Sequence, residues 1–231
     1  MGKGKLIRWA ENKSFEHVFE PDLLPIIREG KTFMKGEWHS GFFKNDHPLV
    51  IELGCGKGEY TVGLARRYPD KNFLGADVKG HRFHKGAKEA LREGLTNVAF
   101  LRARVEFVEA FFGKNEVDEI WLTFSDPQPQ DKTGVRRITS KIYAERYRTF
   151  LKPGGLIHIK HDNDEVYRLA LLEFGSDPRY TIETHNNDIY GDYFNSLTEE
   201  WQYILGIKTY YEQMWLAEGR KTKYVRIRVN E

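Results

Sequence analysis

Five short apolar runs, separated by four longer amphipathic ones, occupy residues 48 to 162. "PLVIEL" (Pro48 to Leu53) precedes a helical pattern over Glu59 to Tyr68. "NFLGAD" (Asn72 to Asp77) precedes a second over Arg82 to Gly94, closed by its glycine. "NVAFLR" precedes the short "VEFVEAFF", and "VDEIWLTF" precedes "SKIYAERYRTFL". "GGLIHIKHD" (Gly154 to Asp162) is the fifth run. Consecutive apolar positions, rather than alternating ones, mark strands buried on both faces, and strands alternating with helices mark a parallel sheet. The crossovers are then right-handed. Past residue 163 the pattern continues as a helix ("NDEVYRLALLEFG"), a strand ("YTIETH"), a helix over Tyr210 to Ala217 and a closing strand ("TKYVRIRV"). The fold class is α/β: a doubly wound, mostly parallel sheet with antiparallel C-terminal strands.

"DLLPIIREG" reads as one or two helical turns, and residues 1–20 show no clear period. The chain therefore divides into a mobile basic arm, 1–20, and one domain, 21–231. A length of 231 residues, 40% hydrophobic and 30% charged, suits one domain with extensions. The net charge is only +2, but it is unevenly placed. Residues 79–92 carry five Lys or Arg against one Glu, residues 128–152 carry seven against two acids, and the N-terminal segment is also basic. Each cluster alone is an ordinary solvated face. Together, on one side of a fold, they would bind a polyanion. The lone Cys55 excludes an internal disulfide and a cysteine-built metal centre. No apolar segment is long enough to span a membrane, and no signal-peptide core follows the basic N-terminus. The expectation is a cytoplasmic protein with no membrane or metal partner.

Parallel sheets bind ligands beyond the carboxyl ends of their strands. After the first strand comes "ELGCGKGEY", with Gly54, Gly56 and Gly58 spaced G-x-G-x-G between Glu52 and Glu59. The dinucleotide fingerprint is G-x-G-x-x-G, and carboxylates flanking the loop are poor company for a diphosphate. A P-loop needs Gly-Lys-Ser/Thr, and here Gly58 follows Lys57. Acids suit a ligand with positive charge and no phosphate, for which S-adenosylmethionine, with its sulfonium and ammonium, qualifies. Asp77, ending the second strand about twenty residues on, is placed to accept two ribose hydroxyls. The plain alternatives are a tight turn for the loop and a helix N-cap for Asp77. Cys55 reads as packing.

The fourth strand runs into "FSDPQPQDKTGVRRI". This segment resembles the F-x-D-P signature of the tRNA (guanine-N7)-methyltransferases, which continues through basic residues to R-R. The resemblance extends to the glutamate-led glycine loop, to Asp77, to "HD" (His161, Asp162) after the fifth strand and to "TYYE" (Thr209 to Glu212) near the end. It covers the chain from about residue 48 onward. It implies a Rossmann-like class I methyltransferase that moves a methyl group from S-adenosylmethionine to N7 of a guanine in the variable loop of tRNA. It further implies Asp126 as the catalytic residue. Glu52, Gly54, Gly56, Gly58, Asp77 and Asp126 would hold the cofactor, and Asp162, Thr209, Tyr211, Glu212, Lys132, Arg136 and Arg137 the RNA. Three positions depart from the pattern: Gln128 replaces a tryptophan, Gln130 a lysine for which Lys132 could substitute, and Arg104 an acid near the adenine. Glu106 or a backbone carbonyl could then hold the adenine amino group.

Guanine N7 has a free lone pair, so no strong base is required, and Asp126 would accept hydrogen bonds from the Watson–Crick edge. Asp126 also reads as an Asx-Pro turn, Asp162 as an N-cap, and Thr209–Glu212 as a T-x-x-E capping box. Lys79 and Arg82 would meet phosphates, and the arm at residues 3–13, with Trp9, would order on RNA. A class I methyltransferase for another substrate and an inactive RNA-binding relative stay open, as does the choice between monomer and homodimer. A nicotinamide-dependent oxidoreductase ranks behind both.

Overall fold

The computed structural model describes residues 3–128 and 136–230. The five apolar runs form β2 (Leu49–Leu53), β3 (Asn72–Asp77), β4 (Val98–Arg102), β5 (Val117–Thr123) and β6 (Leu151–His161). A two-residue β1 (Val18–Phe19) adds one edge, and β7 (Tyr180–Asn186) with β8 (Lys223–Val229) completes the other. The order is β1-β4-β3-β2-β5-β6-β8-β7, and only the pairings of β8 are antiparallel. All residues of β2 and β3 are buried. Leu49, Ile51 and Leu53 face one layer with Trp38, Phe111 and Tyr147, while Val50 faces the other with Tyr60, Val62 and Trp121. Burying each such large apolar side chain contributes about 1.5–3 kcal/mol, which is why these runs admit almost no polar residue.

The crossover helices are α3 (Glu59–Arg67), α4 (Gly80–Glu93), α5 (Lys141–Tyr147) and α6 (Asp164–Gly175). In α4, Phe83, Ala87 and Ala90 are buried at helical spacing, and Gly94 ends the helix in the left-handed region. A 3-10 segment, Val105–Ala110, stands where "VEFVEAFF" predicts a helix. Near the C-terminus, α7 (Asp192–Ser196) and α8 (Glu199–Gly206) precede α9 (Tyr210–Ala217).

The N-terminal segment, in which the sequence shows no clear period, carries regular elements. Residues Lys3–Asn12 form α1, and Leu23–Glu29 form α2. The buried Asn12 amide donates to the Gly80 carbonyl at 3.0 Å, and β1 pairs in parallel with β4 through Val18↔Phe100 and Phe19↔Leu101. Residues 30–47, for which the sequence predicts no element, include a π-helical segment, Trp38–Phe43. It is fastened by the Glu116 carboxylate, which accepts the N–H groups of Gly36, Trp38 and Gly113.

Candidate functional site

Strand order reverses between β2 and β5, and the crevice beyond their carboxyl ends is the expected ligand position. The glycine loop follows β2. Gly58 opens α3 with φ +79°, and a Cβ there would lie 2.7 Å from the Phe100 ring. Gly56, at φ +56°, has nothing within 4 Å of where its Cβ would be. The Gly56 N–H instead donates to Asp77 Oδ2 at 3.1 Å, and the Lys79 N–H donates to Oδ1 at 2.7 Å. Burial pushes the Asp77 carboxyl above its ordinary range, against the pull of these donors. Glu59, at the start of α3, is raised by burial as well. Cys55 is buried, and loss of solvent drives its thiol far up, which agrees with packing rather than nucleophilic chemistry.

Glu52 is held on both carboxylate oxygens. One carboxylate oxygen accepts from the Thr61 N–H (3.0 Å) and hydroxyl (2.5 Å), and the other accepts from the Thr123 hydroxyl. Burial raises its carboxyl to about 7. The side chain thereby joins α3 and β5 behind the loop.

A cleft forms where three segments meet: Gly54 to Lys57, Thr123 with Phe124, and Thr209 to Tyr211. Lys57 Nζ sits 3.2 Å from the centre of the Tyr210 ring, so the glycine loop and α9 touch across it. Thr209 caps α9, accepting the Glu212 N–H at 3.1 Å, while Glu212 Oε2 accepts the Thr209 N–H at 3.3 Å. The capping-box reading is therefore realised. Glu212 is wholly buried and paired with Lys160. Thr209 and the exposed Tyr211 do line the cleft.

Phe124, which follows β5, takes φ +49°, unusual for a bulky residue, and stacks on His161. His161 Nδ1 accepts the Asn163 N–H at 2.9 Å, which leaves the proton on Nε2 to donate to the Ser125 carbonyl at 2.7 Å. The strained turn thus presents Asp126 to solvent two residues beyond the cleft wall. Its Oδ1 accepts the Gln128 N–H at 3.3 Å, an Asx turn. Asp162 is not the N-cap of α6, a place taken by Asn163. Asp162 accepts from Arg220 Nη1 at 3.0 Å.

Arg136 is exposed, whereas Arg137 is buried and its guanidinium is held by Glu173. Arg137 thereby ties the turn before α5 to α6. Gln130 and Lys132 lie outside the described residues. Arg104 pairs with Glu106 at 3.1 Å. Gly54, Gly56, Thr209 and Tyr211 thus line one cleft, Asp77 is bonded to Gly56 from behind the loop, and Asp126 follows the cleft residue Phe124 by two positions. The sequence reading missed Lys160 and Tyr210. A lysine inside the apolar run "GGLIHIKHD" was the available signal, since a buried ammonium requires a carboxylate.

Residues 46–225 match a family model described as a putative methyltransferase. The tRNA (guanine-N(7)-)-methyltransferase of Bacteroides thetaiotaomicron is 48% identical, covering 99% of this chain and 87% of its own. The protein of the same name from Christiangramia forsetii is 43% identical, covering 98% of each. The 16S rRNA methyltransferase KamB shares the fold, with a TM-score of 0.55 at 16% identity over 80% of this chain and 88% of its own. With sequence relatedness along nearly its whole length, the chain belongs to the tRNA (guanine-N(7)-)-methyltransferase family.

Proposed function

We propose that this protein transfers a methyl group from S-adenosylmethionine to N7 of a guanine in the variable loop of tRNA. The observation that carries the reading is the pairing, at the strand-order switch, of an open glycine loop with an exposed carboxylate, Asp126, on the neighbouring turn. The names of relatives 43–48% identical support the acceptor.

The residues at the cleft fit the donor. Gly56 leaves open the space a side chain would fill, and the Asp77 carboxylate lies against the loop to accept ribose hydroxyls. Glu59 adds negative charge suited to a cationic tail. When bound, the donor supplies an electrophilic methyl group on a sulfonium. The protein supplies position: Thr209 and Tyr211 shape the lip opposite the glycine loop, and Asp126 accepts from guanine N1–H and N2–H₂. Guanine gains positive charge as N7 is methylated, which makes those donors more acidic. Their bonds to Asp126 therefore strengthen toward the transition state, the condition for lowering a barrier rather than merely binding. Arg136, exposed before α5, meets the RNA phosphates.

The test incubates purified protein with unmodified tRNA transcript and methyl-labelled S-adenosylmethionine, then digests the RNA to nucleosides. Label in 7-methylguanosine, lost in Asp126→Ala, is expected. Label in another nucleoside, or none despite donor binding, overturns the reading.

A further inference from the structure

A groove of about 670 Å³ runs between α1 and α4. Its walls carry six Lys and Arg side chains (Arg8, Lys57, Arg82, Lys85, Lys88 and Arg92) against one acid, Glu89. On α4 the cations recur at 82, 85, 88 and 92, a single stripe opposite the buried Phe83, Ala87 and Ala90. Lys85, Lys88 and Arg92 are 64%, 63% and 75% exposed, and their contacts with Glu59, Glu11 and Glu93 are long, at 4.0, 3.7 and 3.5 Å, surface pairs that a phosphate can displace.

A basic helix face by itself is ordinary, but two further observations set this one apart. First, α1 provides a second wall, held by Asn12 on Gly80, so the cations converge on a concave surface. Second, Lys57 and Arg82 line both this groove and the cleft at the glycine loop, which makes the two continuous. The crowding of positive charge is registered at His81. Burial lowers its pKa, and Lys5, Arg82, Arg8 and Lys79 lower it further. Like charges held this closely cost free energy that a bound polyanion relieves.

From this continuity we infer that the α1–α4 groove is a second RNA-binding surface, holding the phosphate backbone of the same molecule whose guanine enters the cleft. The inference rests on RNA being the methyl acceptor. Arg82 to Arg92 extends about 15 Å along the helix, enough to meet several successive phosphates. The N-terminal segment thereby acts as a fixed wall of the RNA site rather than a tail that orders on contact.

The test compares the full-length protein with Arg8→Gln/Lys88→Gln/Arg92→Gln, and with Lys88→Gln/Arg92→Gln, which leaves α1 untouched. Affinity for unmodified tRNA is measured against salt concentration, alongside S-adenosylmethionine affinity and the identity of the methylated nucleoside. The triple variant is expected to bind tRNA at least about tenfold more weakly, with a slope of log affinity on log salt shallower by roughly two. The double variant is expected to lie between, with donor affinity and product unchanged in both. Wild-type tRNA affinity and salt slope in both variants would overturn the groove while leaving the reaction intact. Absence of 7-methylguanosine with the wild-type protein would instead overturn the reading on which it rests.

Discussion

Lys160 Nζ lies 2.9 Å from Glu212 Oε2, and neither side chain reaches solvent. The same ammonium donates to the carbonyls of Leu205 and Ile207, both at 2.8 Å. One buried cation thus fastens the end of β6 to the joint between α8 and α9, and so fixes the turn that brings Tyr210 and Tyr211 over the glycine loop. Removing one partner of such a pair leaves an uncompensated charge. Glu212→Ala is expected to cost about 3–5 kcal/mol in urea unfolding, and Lys160→Met/Glu212→Ala to recover part of that loss. A Glu212→Ala protein as stable as wild type would contradict the brace.

Gly56 and Gly58 separate the needs of the ligand from those of the fold. An alanine at 58 meets both a left-handed backbone and the Phe100 ring at 2.7 Å. At 56 only the backbone penalty applies, about 1–2 kcal/mol. Gly56→Ala is therefore expected to lower the melting temperature by only about 2–8 °C while weakening S-adenosylmethionine binding at least about tenfold. Gly58→Ala should be the less stable of the two. Calorimetry on both variants decides it, and full donor affinity in Gly56→Ala would count against the cradle.

Adjacent arginines should behave oppositely. Arg136→Ala removes an exposed charge and is expected to raise the KM for tRNA with no change in melting temperature. Arg137→Ala removes a buried guanidinium from Glu173, a charged hydrogen bond contributing about 1.5–3 kcal/mol, and should lower the melting temperature by several degrees. Equal loss of stability in both would refute the assignment.

Glu52 supplies a pH dependence. Its carboxyl titrates near 7 in the folded protein against an ordinary value of 4.5. Between these values the folded state holds more protons than the unfolded state, so stability must fall as pH rises through the window. The full effect is about 3 kcal/mol. Glu52→Gln keeps the partners of Thr61 and Thr123 without the charge, and is expected to remove this dependence. Urea midpoints of both proteins at pH 5 and pH 8 test it; profiles that stay parallel would exclude Glu52 as the cause.

The elements legible in the sequence are those set by local pattern. β2 to β6 announce themselves because strands covered on both faces must be apolar at consecutive positions. T-x-x-E at Thr209 announces a cap because donor and acceptor are three residues apart. What stayed illegible depends on distant partners. The segment around Trp38 is organised by Glu116, 78 residues away, and α1 is tied down by Asn12 on Gly80, 68 residues away. For the same reason a motif could identify Glu52, Glu212 and Arg137 but not say whether they touch ligand or support the residues that do. Their partners Thr123, Lys160 and Glu173 come from other elements.

The central claim is that methyl transfer uses the free lone pair of guanine N7 in a bound tRNA. The most direct measurement offers the protein two transcripts of one tRNA, one made with guanosine and one with 7-deazaguanosine, in which a C–H replaces N7. Both are expected to bind and to compete with each other, and labelled methyl should enter only the guanosine transcript. Comparable label in the 7-deazaguanosine transcript would contradict the account.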